Sequence, residues 1–180
     1  MFLGFISCEN DLEKISKLTS KDISADELSD SLTVVYTDSS KVKFIIFGQK
    51  VEKYNEPKTK TIINDGLKVR FFNSKEENTA VLTSRYGEIK EREGKITCKY
   101  NVVFNNIEKD QTLFTEELLW NQKTKKIFTP GNVTIKDGDK YLYGTGMEAE
   151  EDFSSYEIIE PTAKVPMKSD KDSIKNEKLQ

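Results

Sequence analysis

Histidine is absent from this chain of 180 residues. That removes imidazole acid–base catalysis and every His-ligated metal site. Cysteine is nearly absent: Cys8 and Cys98 stand alone, no CxxC occurs, and two thiols cannot build a zinc cluster. No apolar run approaches the roughly 18 residues that a membrane-spanning helix needs. Positive charge is not in excess either. With a net charge of −3 and a pI near 5.3, no nucleic-acid partner is expected. GxSxG, a glycine-rich phosphate loop and EF-hand spacing are all missing. The expectation is a protein that is not an enzyme and needs no cofactor or metal.

Charge and aromatic side chains are present in quantity. Charged residues make up 33%, and Phe, Tyr and Trp supply 10%, too many for a wholly disordered chain. The acidic residues carry no chemistry on their own. Glu116-Glu117 and the run from Glu148 to Asp152 read as solvated surface, and Asp137 and Asp139 flank a glycine as a hairpin turn would.

The two ends differ from the middle. Met1 to Ile6 is apolar, and Phe5-Ile6-Ser7-Cys8 resembles the end of a bacterial lipoprotein signal, which makes Cys8 the expected site of lipid attachment. Residues 1–8 are read as a signal remnant and residues 9–30, mixed in charge and free of aromatics, as a linker. Residues 160–180 hold two prolines and many lysines and read as a disordered tail.

Residues 31–159 alternate with period two. Ile96, Cys98, Tyr100, Val102 and Phe104 share one phase, Leu67, Val69 and Phe71 another, and Val42, Phe44 and Ile46 a third. Turn residues separate the runs at Asp38-Ser39-Ser40, Asn64-Asp65-Gly66, Asn73-Ser74-Lys75, Arg92-Glu93-Gly94, Pro130-Gly131-Asn132 and Asp137-Gly138. Thr115 to Trp120 is the one stretch with helical character, and its flanks favour strand. An echo runs through this region: Ile96 to Ile127 and Asn101 to Asn132 are each 31 positions, and Thr83 to Thr115 is 32. Such a period suggests one hairpin-sized unit stacked on the next.

An ordered series of short segments carries a family resemblance. Ser31 to Tyr36, Lys41-Val42-Lys43-Phe44 and Val51-Glu52-Lys53-Tyr54 are followed by Asp65 to Phe71, Leu82-Thr83-Ser84 and Asn101-Val102-Val103. Leu113 to Leu118 with Trp120, Lys126-Ile127, Asn132-Val133, Gly144 to Met147 and Ser155 to Ile158 complete it. The series resembles LptC, the periplasmic component of the lipopolysaccharide-export ABC transporter. The resemblance implies an all-β, antiparallel, V-shaped or boat-like β-jellyroll stack with an open apolar groove for acyl chains. It implies a location on the periplasmic side of the inner membrane, here through a lipid on Cys8. It also implies three partners: lipopolysaccharide, the inner-membrane LptBFG-type transporter, and an LptA-like periplasmic bridge protein joined by strand-edge pairing. Alternation phase gives the expected groove: Val42, Phe44, Ile46, Leu67, Val69, Phe71, Leu82, Ile96, Tyr100, Val102, Phe104, Phe114, Leu118, Trp120, Val133, Ile135, Tyr143 and Met147. The resemblance adds Tyr156. The pairing edges are expected at about Thr33 to Thr37 and Tyr141 to Ala149. A soluble LptA-like bridge protein and an unrelated all-β protein-binding lipoprotein are the alternatives.

Overall fold

The alternating stretch becomes eleven strands. The computed structural model describes residues 25–55, 57 and 59–166, and no helix occurs among them. Cys8, most of the expected linker and the end of the expected tail lie outside the described residues. The strands are β1 (Glu27–Asp38), β2 (Lys41–Tyr54), β3 (Lys60–Ile63), β4 (Leu67–Phe72), β5 (Asn78–Ser84), β6 (Tyr86–Lys90), β7 (Lys95–Asn106), β8 (Gln111–Asn121), β9 (Lys126–Asp137), β10 (Lys140–Glu150) and β11 (Tyr156–Pro166).

All pairings are antiparallel, and two strands decide the shape. The first half of β2 pairs with β4 through Phe44↔Phe71 and Ile46↔Val69, and its second half pairs with β3 through Val51↔Ile63. Strand β7 is shared in the same way, pairing β6 through Ile96↔Ile89 and β5 through Phe104↔Leu82. Strand β6 also pairs with β3. The hydrogen-bonded path β2–β4–β5–β7–β6–β3 therefore returns to β2, with β4 and β5 in one leaf and β3 and β6 in the other. From β7, strands β8 to β11 follow in order, and among the described residues β1 pairs with β2 alone.

The leaves meet at a crease where the chain bends. Lys50, Gly66, Tyr100, Asn101 and Gly146 all have positive φ there. Register shifts fall at Lys99/Val102, Phe114/Leu119 and Thr145/Met147. A β-bulge re-aims the side chains around it, which corrects one expectation. Tyr100, expected inside with Cys98 and Val102, is turned outward at 57% exposure and meets Tyr86 at 6.3 Å. Pro130-Gly131-Asn132 is corrected as well. It is the crease of β9 and not a turn, as befits a proline confined to an irregular point in a sheet.

The strands also outrun the expected boundaries. Strand β1 begins at Glu27, inside the stretch read as linker, and β11 runs to Pro166, inside the stretch read as tail. Polar residues continue a strand when their backbone groups find partners, here in Glu27↔Lys53 and Lys140↔Pro166. The C-terminal edge is therefore β11. Tyr141 to Ala149, expected as the edge, lies in β10 and is paired on both sides.

Candidate functional site

Four aromatic side chains project inward from the two leaves and touch. Phe44 and Phe71 are cross-strand partners in one leaf, with Phe104 further along it, and Trp120 rises from the other. Their ring centroids are 4.9 Å apart for Phe44–Trp120, 5.4 Å for Phe71–Trp120 and 5.8 Å for Phe71–Phe104. Tyr36 on β1 lies flat against Phe44 at 4.5 Å. Tilted and edge-on pairs add about 0.5–1.5 kcal/mol each beyond the area they bury.

Around this cluster the leaves part into a cleft with two chambers. The first, about 420 Å³, lies at the mouth above Phe44, Phe71, Phe104 and Trp120. Its rim is polar, with Asp38, Lys43, Asn73, Gln122, Lys125 and Asp152. The second, about 400 Å³, runs inside the β1 edge between Leu32, Val34, Ile46, Val51, Ile89 and Ile96. Tyr36, Phe44 and Gln122 line both, so the chambers adjoin. Each volume falls within the roughly 300–1,000 Å³ usual for small-molecule sites. Apolar walls under a charged rim suit an alkyl chain ending in a polar head. Sheltering such a chain from water is worth about 0.8 kcal/mol per CH₂.

Strand β1 makes this side of the cleft yield easily. All but one of its side chains are exposed, and Val34 and Tyr36 overhang the chambers at 38% and 48% exposure. Backbone pairing to β2 holds it, with little burial to add. The opposite side is closed. Ile127, Val133, Ile135 and Met147 are at most 3% exposed and fill the interior between β8 and β11.

The residues expected to line a groove are thus distributed unevenly. Phe44, Ile46, Phe71, Phe104, Ile96 and Trp120 line the cleft. Leu67, Val69, Val102, Leu82 and Leu118 are fully buried core, at 2% exposure or less. Val42 is half-buried at the start of β2, and Tyr156 packs half-buried on the core beside β11. Phe114 and Tyr143 face outward, at 41% and 37% exposure, because Leu113 and Leu142 take the inward phase opposite Ile135. Tyr143 stacks on Tyr141 at 6.2 Å across the outer surface.

Sequence reasoning missed Tyr36, Leu32, Val34 and the β10–β11 turn. Phe153 on that turn follows the acidic run read as solvated surface, so nothing local marks it as buried. Glu151 of that run accepts a hydrogen bond from Trp120 Nε1 at 3.2 Å. Others of the acidic residues are surface partners, with Glu117 3.0 Å from Lys99 and Glu148 3.4 Å from Lys126. Cys98 is fully buried, and burial pushes its thiol up to about 12, outweighing a hydrogen bond with Ser84. That leaves it an inert packing residue. Among the described residues no cluster of metal ligands exists, and no helix is long and apolar enough to cross a membrane.

The family profile described as "Lipopolysaccharide-assembly, LptC-related" matches residues 5–163. The chain belongs to the LptC family. A search among curated proteins returned no match. LptC membership gives the chain a part in lipopolysaccharide transport, and the family is a periplasmic component associated with the inner membrane. The antiparallel eleven-stranded sheet is the jellyroll that an LptC-type chain is expected to form. Among the described residues, β1 and β11 are the two strands of the sheet paired on one side alone.

Proposed function

We propose that this protein receives the acyl chains of lipopolysaccharide from the inner-membrane ABC transporter and hands them to a periplasmic bridge protein. The cleft carries this reading: four touching aromatics under a charged rim, beside an edge strand that only one neighbour holds. Lys43 and Lys125 on the rim can meet phosphate groups while the chains lie below. Strand β1 offers free backbone donors and acceptors to a domain of the transporter, and β11 offers the same to the LptA-like bridge protein. A lipid on Cys8 would hold the domain to the periplasmic face of the inner membrane. Mass spectrometry of the native N-terminus tests that anchor; an unmodified Cys8 thiol overturns it.

The test of the transport reading is site-specific photo-crosslinking in membranes. A photo-reactive residue at Phe71 should capture lipopolysaccharide while the transporter hydrolyses ATP. The same residue at Arg70, on the outer face with its guanidinium 5.2 Å from the Phe72 ring, should not. Equal capture at both positions defeats a one-faced site. Phe71→Asp should block passage by placing a charge among acyl chains. If that variant unfolds, Phe71 is core and the lipid path lies elsewhere.

A further inference from the structure

The cleft ends at a turn whose construction local sequence does not explain. Between β10 and β11 the chain buries Phe153 to 5% exposure and stacks its ring on Phe104, with centroids 3.7 Å apart and planes 20° apart. Phe153 does so at a φ of 52°, in the left-handed region that aromatic residues avoid. Packing and an outside clamp hold it there. Lys109, from the β7–β8 turn, donates from Nζ to the carbonyl oxygens of Phe153 at 2.8 Å and Ser154 at 2.7 Å. Glu151 of the same turn takes the Trp120 indole N–H, so the turn touches two of the four cleft aromatics.

Position gives this arrangement its meaning. Glu151, Asp152 and Ser154 line the mouth chamber, and beyond them the interior toward β11 is filled. A chain travelling from the β1 side toward the β11 edge meets Phe153 where it covers Phe104. We propose that Phe153 is a resident plug, occupying with its own ring the place that an acyl chain takes on Phe104, and that Lys109 is the latch keeping it there. The proposal rests on the lipid-carrying reading of the cleft. A chain pressing on Phe104 displaces the ring, the backbone of Phe153 relaxes out of its left-handed conformation, and the place over Phe104 opens to the chain. The strain favours release, while the stack and the two charge-assisted hydrogen bonds favour closure, so the turn has two arrangements that a ligand can bias.

Equilibrium binding of dansyl-undecanoic acid to the full chain, read by dye emission, tests the plug. Thermal unfolding of each variant is recorded alongside as the check on folding. A site closed most of the time shows an affinity reduced by its open fraction, so Phe153→Ala should bind about tenfold more tightly than wild type. Lys109→Gln should shift affinity in the same direction while leaving every apolar side chain in place. Binding by wild type with no gain in a folded Phe153→Ala overturns the plug and leaves the lipid-carrying reading intact. Binding by Phe153→Ala alone supports the plug strongly. No binding by any of the chains overturns both. Should Phe153→Ala fail to fold, Lys109→Gln decides, and an affinity equal to wild type overturns the proposal.

Discussion

Phe44 and Trp120 come from opposite leaves of the folded sheet and meet edge-on, with centroids 4.9 Å apart and planes at 68°. The contact closes the floor of the mouth chamber and sets how far the leaves part. Trp120 is the single tryptophan of the chain and is 2% exposed, so its fluorescence reports on this floor alone. Native emission should be blue-shifted, and titration with lipid A in detergent should quench or shift it before any unfolding. An emission spectrum indifferent to saturating lipid A would mean that chains do not reach the floor. Trp120→Ala should cost about 3–5 kcal/mol in chemical denaturation, as large core truncations do.

Thr115 and Thr129 form a buried polar knot at the crease. Their hydroxyls are 3.1 Å apart, and Thr115 Oγ1 also donates to the Asn132 carbonyl at 3.0 Å. The β8–β9 register breaks between Phe114 and Leu119, and the hydroxyl bridges the two strands there. Thr115→Val keeps the shape and removes the donor, so it should lower the unfolding free energy by about 1–3 kcal/mol. Thr112→Val, a half-buried threonine on the same strand, should cost much less.

Gly144 fits β10 against the edge strand. A Cβ there would lie 2.7 Å from the Glu160 carbonyl oxygen on β11. Backbone cannot yield as a side chain can, so Gly144→Val should push β11 off while the rest of the sheet holds. Hydrogen exchange should then show lost protection over Tyr156–Pro166 and little change in β2 and β7. Global loss of protection would instead mean that β11 is integral to the core.

Cys98 should resist thiol reagents in the native state and react on denaturation, because burial keeps it a neutral thiol. Its folded pKa, about 12, is raised above the unfolded value of about 8.5. The stability it contributes is therefore fully present below about pH 8.5 and is lost as pH rises toward 12. Cys98→Ala should flatten that alkaline fall in a pH series of unfolding midpoints. An identical slope with and without the thiol would assign the fall to other groups.

Much of the fold was legible because period-two alternation is a direct record of a two-faced sheet. The hairpin between β9 and β10 forms where the Asp-Gly signal falls but one residue on: Asp137 and Lys140 pair, so the loop is Gly138-Asp139 and not Asp137-Gly138. The 31-residue echo is legible in part: Ile96 and Ile127 both pair with Trp120, and Val102 and Val133 are both buried just past the crease. Thr83 and Thr115 do not correspond, since one is half-buried on an outward phase and the other points in. The cleft was less legible than the fold. Alternation assigns a face to each strand but cannot tell filled interior from open interior, so Leu67 and Phe71 look alike in sequence. Bulges are silent too, and one of them sends Tyr100 outside. Phe153 is buried by contacts with Phe104 and Lys109, 49 and 44 positions away, which no local pattern encodes.

The ring formed by β2, β4, β5, β7, β6 and β3 divides the molecule into a hub and two arms of unequal length. Every strand of the hub has neighbours on both sides, whereas β8 to β11 are added one after another and β1 is added alone. An arm built this way has no natural length. A further hairpin could follow β11, or one could be deleted, with the hub undisturbed. A strand offered by another protein meets the same geometry as the next strand of the same chain. Growth in sequence and growth by assembly are thus one operation here, and the sheet is a segment of something extensible that ends only where pairing does.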